Sequence, residues 1–333
     1  MSINQQKIAE ALDVSVMTVS RALRDHPDLA EGTREMILRK AEEMGYRKHL
    51  KKRGKRVEVE EKPLRRMGIL LFEDEIIGQR DLFKSGVVRS IFLSIQKECQ
   101  RLGVETVVEV FTTGSSEVPM LVRNRSVSGI FLLGRYEKSI MERLEGIPAM
   151  AVSNFVGHLG LPRVVADNFH GMCEATEHLI GLGHERILFL GDQQGRAQIF
   201  EERSFGYLAA MQKHGLRSEV LFFDRRHEPM PLKEIEKVTG IVCSNDSLAY
   251  KVQAAMRAEG VSLPDECSMV SFDNIEAYHN EGAITSYEPD WGLMGRMAAE
   301  LMNASPLSLL QNDVSVSVPG RLVVHGSTGA PRS

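Results

Sequence analysis

The sequence predicts a small all-α unit followed by a larger, two-lobed α/β body. Three observations carry that expectation. Residues 1–46 show helical periodicity interrupted by short turns. From Met67 onward, short apolar strands alternate with amphipathic helices, the pattern of parallel sheets covered on both faces. And 333 residues exceed what one ordinary core accommodates. Eight or so strands over about 260 residues fit two sheets better than one.

The first unit reads as three helices. Asn4 can cap the first, whose apolar positions Ile8, Ala9 and Leu12 share a face. Asp13-Val14 makes a tight turn, and Ser15 is a good cap for a second helix running to about Arg24. Val19, Ala22 and Leu23 form its inward stripe, which leaves Val16, Met17, Thr18 and Arg21 near an exposed start. Asp25-His26-Pro27-Asp28 breaks the chain. A third helix is expected from about Gly32 to Met44, with Met36, Ile37, Ala41 and Met44 inward and Gly45 as its stop. Two helices joined by so short a turn match a DNA-binding helix-turn-helix, whose second helix enters the major groove N-terminus first. A plain three-helix bundle for protein contact is the alternative.

Ile8-Ala9-Glu10, Val14-Ser15, Thr18-Val19-Ser20-Arg21-Ala22-Leu23, Thr33-Arg34 and Gly45-Tyr46 together resemble the head of lactose-repressor (LacI) family regulators. The resemblance implies that Val16 and Met17 are the main base-reading positions. It implies phosphate or base-edge contacts for Thr18, Ser20 and Arg21, and a phosphate contact for Asn4; Ser15 belongs to the same surface. Apolar Val16 and Met17 favour thymine methyls over hydrogen-bonded purines, and Arg21 is equipped for guanine or phosphate.

Residues 47–66 form a connector with a basic run from Arg47 to Arg56, followed by Glu58, Glu60 and Glu61. The family's connector carries Pro-Asn and Ala-Arg-x-Leu, a hinge helix that wedges a leucine into the minor groove. Here Lys48 and His49 stand in place of Pro and Asn, and Gly54-Lys55 fall near the leucine. That leaves two readings: a basic strap that follows phosphates and adds salt-dependent affinity, or an ordinary charged linker.

In the body, strands are expected at Met67–Phe72, Val104–Val110, Gly129–Leu133, Ala149–Ser153, Arg186–Gly191, Glu219–Phe223, Gly240–Cys243 and Ser268–Phe272. Helices such as Val87–Arg101, His170–Leu182, Glu201–His214 and Asp246–Glu259 fill the gaps, and Gly183 stops one of them. The resemblance continues through Asp167-Asn168, Leu182-Gly183-His184-Glu185-Arg186-Ile187, Arg203-x-x-Gly206-Tyr207, Ser244-Asn245-Asp246, Phe272-Asp273-Asn274 and Met294-Gly295-Arg296, up to Gly326-Ser327-Thr328. It implies a periplasmic-binding-protein-like sensor at 67–328 with a tail at 329–333. Lobe one would be 67–163 plus 291–318, and lobe two 164–289 plus 319–328. The crossovers would fall near Pro162–Val164, Tyr287–Asp290 and Val318–Gly320.

By resemblance, Arg203, Asn245 and Asp273 match positions that contact effector hydroxyls. Arginine donates a fork of hydrogen bonds, and a carboxylate accepts from vicinal hydroxyls. Trp291, the single tryptophan, is open between covering a ligand and packing in the core or a dimer. The first lobe departs from the family, with Phe72-Glu73-Asp74-Glu75 after its opening strand and Ser153-Asn154 where an aspartate is usual. Arg225-Arg226-His227 fall in a shortened stretch after Phe223.

Charge supports the division of labour. Residues 1–56 hold 13 Lys/Arg against 8 Asp/Glu, and the remaining 277 hold 28 against 37, so a basic head precedes an acidic body. Cys99, Cys173, Cys243 and Cys267 are widely spaced, which predicts four buried reduced thiols. His178 and His184 read as a helix-surface residue and a loop cap, not a metal pair. No cofactor or metal is expected. There is no G-x-G-x-x-G after the opening strand, Walker sequence, G-x-S-x-G or His-Glu-x-x-His, which argues against an enzyme. The first 25 residues do not read as a secretory signal, and no run reaches the roughly 18 apolar residues of a membrane span. The expectation is a cytoplasmic transcription regulator without membrane contact. It would be a homodimer on a palindromic double-stranded DNA operator, modulated by a small polar effector such as a sugar.

Overall fold

A computed structural model describes residues 5–23, 31–44, 66–73, 86–112, 115–136, 139–144, 146–153, 160–192, 198–224, 228–275, 282–304 and 314–332. Asn4, the connector up to residue 65 and Arg225-Arg226-His227 lie outside the described residues, and Arg66, expected in the connector, opens the first strand of the body. The chain divides into two compact units, Met1–Lys62 and Pro63–Ser333.

The first unit contains α1 (Gln5–Leu12), α2 (Val16–Leu23) and α3 (Glu31–Glu43). Asp13 adopts φ +50°, the left-handed region that its short polar side chain tolerates, and Val14 N–H donates to the Ala9 carbonyl at 3.0 Å. This turns α1 into α2. Ile8, Ala9, Val19, Ala22, Ile37 and Ala41 form the core, with Leu12, Val14, Leu23 and Met44 around it. Met36 does not face inward as the sequence suggested; it is 43% exposed. The buried stripe of α3 runs through Ile37 and Ala41, four residues apart, and Met36 lies about 100° around the helix from Ile37.

The body begins with β1 (Arg66–Glu73), α4 (Gly86–Arg101), β2 (Glu105–Thr112), α5 (Met120–Arg123), β3 (Gly129–Gly134), α6 (Ile140–Arg143), β4 (Ala149–Val152) and β5 (Arg163–Ala166). There follow α7 (Asn168–Gly181), β6 (Ile187–Asp192), α8 (Gln198–Lys213), β7 (Glu219–Phe223), α9 (Leu232–Ile235), β8 (Gly240–Cys243), α10 (Asp246–Ala258), β9 (Ser268–Phe272) and β10 (Thr285–Pro289). The chain ends with α11 (Trp291–Ala304), β11 (Ser315–Val318) and β12 (Gly320–Val323). Two sheets form, in the orders β11-β5-β4-β3-β1-β2 and β12-β10-β9-β8-β6-β7. Their pairings are parallel, except that β12 runs antiparallel to β10.

Strand alternation sends side chains to opposite faces, so each sheet carries two cores. On β1, Met67, Ile69 and Leu71 join the core under α4 and α11, whereas Leu70 and Phe72 join the one on the other face. On β8, Ile241 and Cys243 face α10, whereas Val242 faces α7 and α8. The chain passes between sheets three times: after Ala166, between Pro289 and Trp291, and between Val318 and Gly320. The first passage comes later than the expected 163/164 boundary, because Arg163–Ala166 pairs with Ser315–Val318 in the first sheet.

The last residues fold back on the second sheet. Gly183, at φ +100°, ends α7 and turns the chain into β6. Buried His184 contacts the Gly329 carbonyl through Nε2 at 2.9 Å, and His178 Nε2 meets Thr328 Oγ1 at 3.0 Å. The two histidines are therefore anchors for the tail, and burial pushes both below the usual imidazole range. Cys99, Cys243 and Cys267 are buried free thiols, but Cys173 is half-buried, against the expectation of four. No described helix is long and apolar enough to cross a membrane.

At the α7–α8 seam, Gly206 lets the two helix backbones approach. A Cβ there would collide with the Phe169 carbonyl and stand 3.0 Å from Cys173 N. Gly206→Ala is expected to destabilise the body by about 1–3 kcal/mol, the usual cost of overpacking. A urea midpoint equal to that of the wild type would contradict this.

Candidate functional site

The first unit presents the start of α2. Ser15 Oγ accepts the Thr18 N–H at 3.0 Å and bonds the Thr18 hydroxyl at 2.7 Å, so both hydroxyls are engaged in the cap. Beyond this cap, Val16 is 45% and Met17 64% exposed. Arg21 is exposed one turn on, and Ser20 is half-buried. Val19 and Ala22 anchor the opposite side of α2 in the core. A rigid helix thus offers two apolar side chains at its N-terminus with a cation behind them. Large apolar side chains so exposed have no packing role within the unit.

In the body, Arg203 stands on α8 and is 4% exposed. Its Nε donates to Asn168 Oδ1 at 2.9 Å, Nη1 to the Ser244 carbonyl at 2.6 Å and Nη2 to Asp273 Oδ1 at 3.2 Å. The Phe272 ring lies beneath the guanidinium, 3.7 Å from its carbon. One side chain therefore ties together the start of α7 and the carboxyl ends of β8 and β9. Asn168 Nδ2 also donates to Glu202 Oε2 at 3.0 Å.

Asp273 sits just past β9 at φ +112°, and Asn274 follows at φ +49°. A non-glycine residue in that region stores strain that its surroundings must hold. Asp273 N–H donates to the Tyr287 carbonyl at 2.8 Å, and the Trp291 indole donates to the Asp273 carbonyl at 3.4 Å. Trp291 is half-buried and packs against the core of the first sheet, so it bridges the two lobes. Asn245 is an N-cap: its side chain accepts the Leu248 N–H at 2.9 Å at the head of α10. In the next position, Asp246 is 2% exposed and accepts from Ile275 N–H at 2.6 Å and from the Ser286 hydroxyl at 2.8 Å. Ile275 reaches the first lobe, where its Cγ2 lies 3.0 Å from the place of a Cβ on Gly86.

The four residues expected in the body thus gather around one point, with Arg203 inward and Asp273 at the rim. Asn168, Asp246 and Phe272 complete the cluster and were not singled out as site residues. All three stand inside motifs of the resemblance, but nothing in the sequence showed that Arg203 would turn inward among them. Ser153, at φ +86°, ends β4 in the first lobe, and Asn154 lies outside the described residues.

Burial pushes the Asp273 carboxyl up to about 7; Arg203 opposes the rise and Asp246 adds to it. Burial also raises Asp246. Folded Asp273 holds its proton to about pH 7, whereas an unfolded aspartate releases it near pH 4. Its contribution to stability is therefore complete below about pH 4 and is lost as pH rises through about 7.

Comparison with known proteins gave two family matches. Residues 6–49 match the profile described as bacterial regulatory proteins, lacI family. Residues 176–328 match a periplasmic binding protein-like domain. The transcriptional regulator RegA of Clostridium saccharobutylicum is 25% identical over 92% of this chain and 95% of its own length. Among solved structures, the transcriptional regulator CelR in complex with cellobiose superposes with a TM-score of 0.67 at 22% identity, covering 98% of this chain and 99% of that one. The lac repressor dimer bound to operator and the anti-inducer ONPF superposes at 0.64 with 19% identity, covering 99% of this chain and 100% of that one. Both structures share this fold.

Asp273→Asn removes the titrating carboxyl while keeping an acceptor for Arg203. The difference in urea midpoint between variant and wild type is expected to move in the variant's favour from pH 5 to pH 8. His178 and His184 titrate in both proteins and cancel. A difference independent of pH would contradict the assignment.

Proposed function

From the premise that this chain belongs to the lactose-repressor (LacI) family of DNA-binding transcription regulators, we propose that it represses its target genes as a homodimer on a pseudo-palindromic operator, under control of a small polar effector bound between its lobes. The observation that carries the DNA reading is the capped start of α2, which exposes Val16 and Met17 ahead of Arg21 over a buried helix face. That arrangement suits insertion into a major groove, with the apolar pair against thymine methyls and Arg21 on guanine or phosphate. Ser15 and Thr18, whose hydroxyls serve the cap, have less left for base recognition than Val16 and Met17.

A single head buries too little surface for tight specific binding, so two heads on two half-sites supply the affinity. The basic connector adds affinity that weakens with salt. Arg203, Asn245, Asp273 and Trp291 form the effector end, at the carboxyl edges of the strands where ligands of open α/β sheets bind. The neighbours bound to cellobiose and to ribose support a sugar-like effector. An effector that favours one lobe arrangement shifts its population and so changes how the two heads are spaced.

Selection of duplexes from a random pool by the full-length protein tests the reading. A palindromic consensus is expected, with A·T pairs where Val16 and Met17 dock. Arg21→Ala is expected to weaken binding to that consensus by about 1–3 kcal/mol, read as a band shift. Equal binding of selected and random duplexes would overturn the proposal.

A further inference from the structure

On the proposed reading, what α2 offers DNA is chemically narrow. Val16 and Met17 are 45% and 64% exposed at its first two positions, while Val19 and Ala22 hold the opposite side in the core. Valine has no hydrogen-bonding group on its side chain, and methionine has only a weakly accepting sulfur. The hydroxyls of Ser15 and Thr18, which flank the pair, are engaged with each other in the helix cap, where Ser15 Oγ also accepts the Thr18 N–H. The Val16–Met17 tip is therefore suited to apolar contact, and it has no donor with which to tell an amino group from a carbonyl on a base edge.

The apolar feature of the major groove is the methyl group at C5 of thymine. That methyl belongs to the pyrimidine ring and not to the A·T pair. A cytosine methylated at C5 carries the same group at the same place. It differs from thymine in its amino group and in the purine across the helix, both of them hydrogen-bonding differences. Arg21 supplies the second half of the surface. It is exposed and stands four residues after Met17, so the two side chains are neighbours on one helix face, with Cβ atoms about 5–6 Å apart. Successive bases on a strand lie about 3.4 Å apart. Two long side chains at that separation reach adjoining base pairs, and the partner of arginine there is guanine, through O6 and N7.

We infer that this reader recognises the C5 methyl group rather than thymine as a base, and that duplexes carrying 5-methylcytosine beside guanine are a second class of ligand for the chain. Methylation of an operator cytosine would then raise affinity with no change of sequence. This inference rests on the DNA reading proposed above.

The test is a band-shift series with the full-length protein on the consensus selected from the random pool, altered symmetrically in both half-sites. At each pyrimidine position in turn, four duplexes are compared: thymine and deoxyuridine opposite adenine, 5-methylcytosine and cytosine opposite guanine. Within each pair only the methyl differs. Where Val16 and Met17 dock, both methylated members are expected to bind about fifteenfold more tightly than their partners, about fourfold for each half-site methyl. Replacing both exposed side chains, Val16→Ala with Met17→Ala, is expected to bring both ratios to within about twofold. Arg21→Ala is expected to weaken binding and abolish the preference for the adjoining guanine while leaving both ratios in place. A preference for thymine over deoxyuridine with none for 5-methylcytosine over cytosine would overturn the inference. So would the lack of either preference at every position, or ratios unchanged in the double variant; each of these leaves the DNA reading standing. A protein that selects no consensus overturns the DNA reading itself, and the inference with it.

Discussion

Burying a guanidinium obliges the protein to build around it. A cation removed from water costs several kcal/mol unless charge and hydrogen bonds compensate it in place. For Arg203 the compensation comes from Asn168, the Ser244 carbonyl and Asp273, residues far apart in sequence that must converge on one fork. That requirement sets the start of α7, the end of β8 and the end of β9 relative to α8. It also gives a reason for Asp273 to occupy a backbone region that aspartate ordinarily avoids, since the Arg203 hydrogen bond and the Tyr287 and Trp291 bonds hold it there. Phe272 completes the arrangement from below.

The same cluster lies where the two sheets meet. Trp291 opens α11 immediately after the second passage, rests on the core of the first sheet and bonds the backbone of the second. Ile275, two residues past Asp273, packs toward Gly86 at the head of α4. A molecule that engages Asp273 therefore acts within a few residues of these two contacts between lobes. On the proposed reading, this is how occupancy becomes a change in lobe arrangement, because packed contacts of this kind shift between discrete states more readily than they stretch.

Much of this was legible in the sequence because the signals were local. Strands such as Gly240–Cys243 and Glu219–Phe223 are short apolar or half-apolar runs between turn residues, and they fold at the bounds expected. The caps at Ser15 and Gly183 follow from residue type alone. What the sequence concealed was set by distant partners. β5, β10, β11 and β12 are four- or five-residue strands with interspersed Arg, Ser, Thr or Glu, and nothing local distinguishes them from connections. β5 extends to Ala166 because β11, some 150 residues later, pairs with it. Met36 faces out because the buried stripe of α3 is set by Ile37 and Ala41, and residue 36 lies to one side of it. The inward turn of Arg203 was hidden for a related reason: a motif names the residue but not the acceptors that surround it.

Coupling between cleft and head is tested most directly by measuring operator affinity of the full-length protein with and without a saturating sugar that calorimetry has shown to bind. Operator affinity is expected to change by about fivefold or more, and saturating operator is expected to change the sugar's affinity by the same factor, as linkage requires. An operator affinity that stays constant while the cleft is demonstrably filled would contradict a sensor and a reader joined in one molecule.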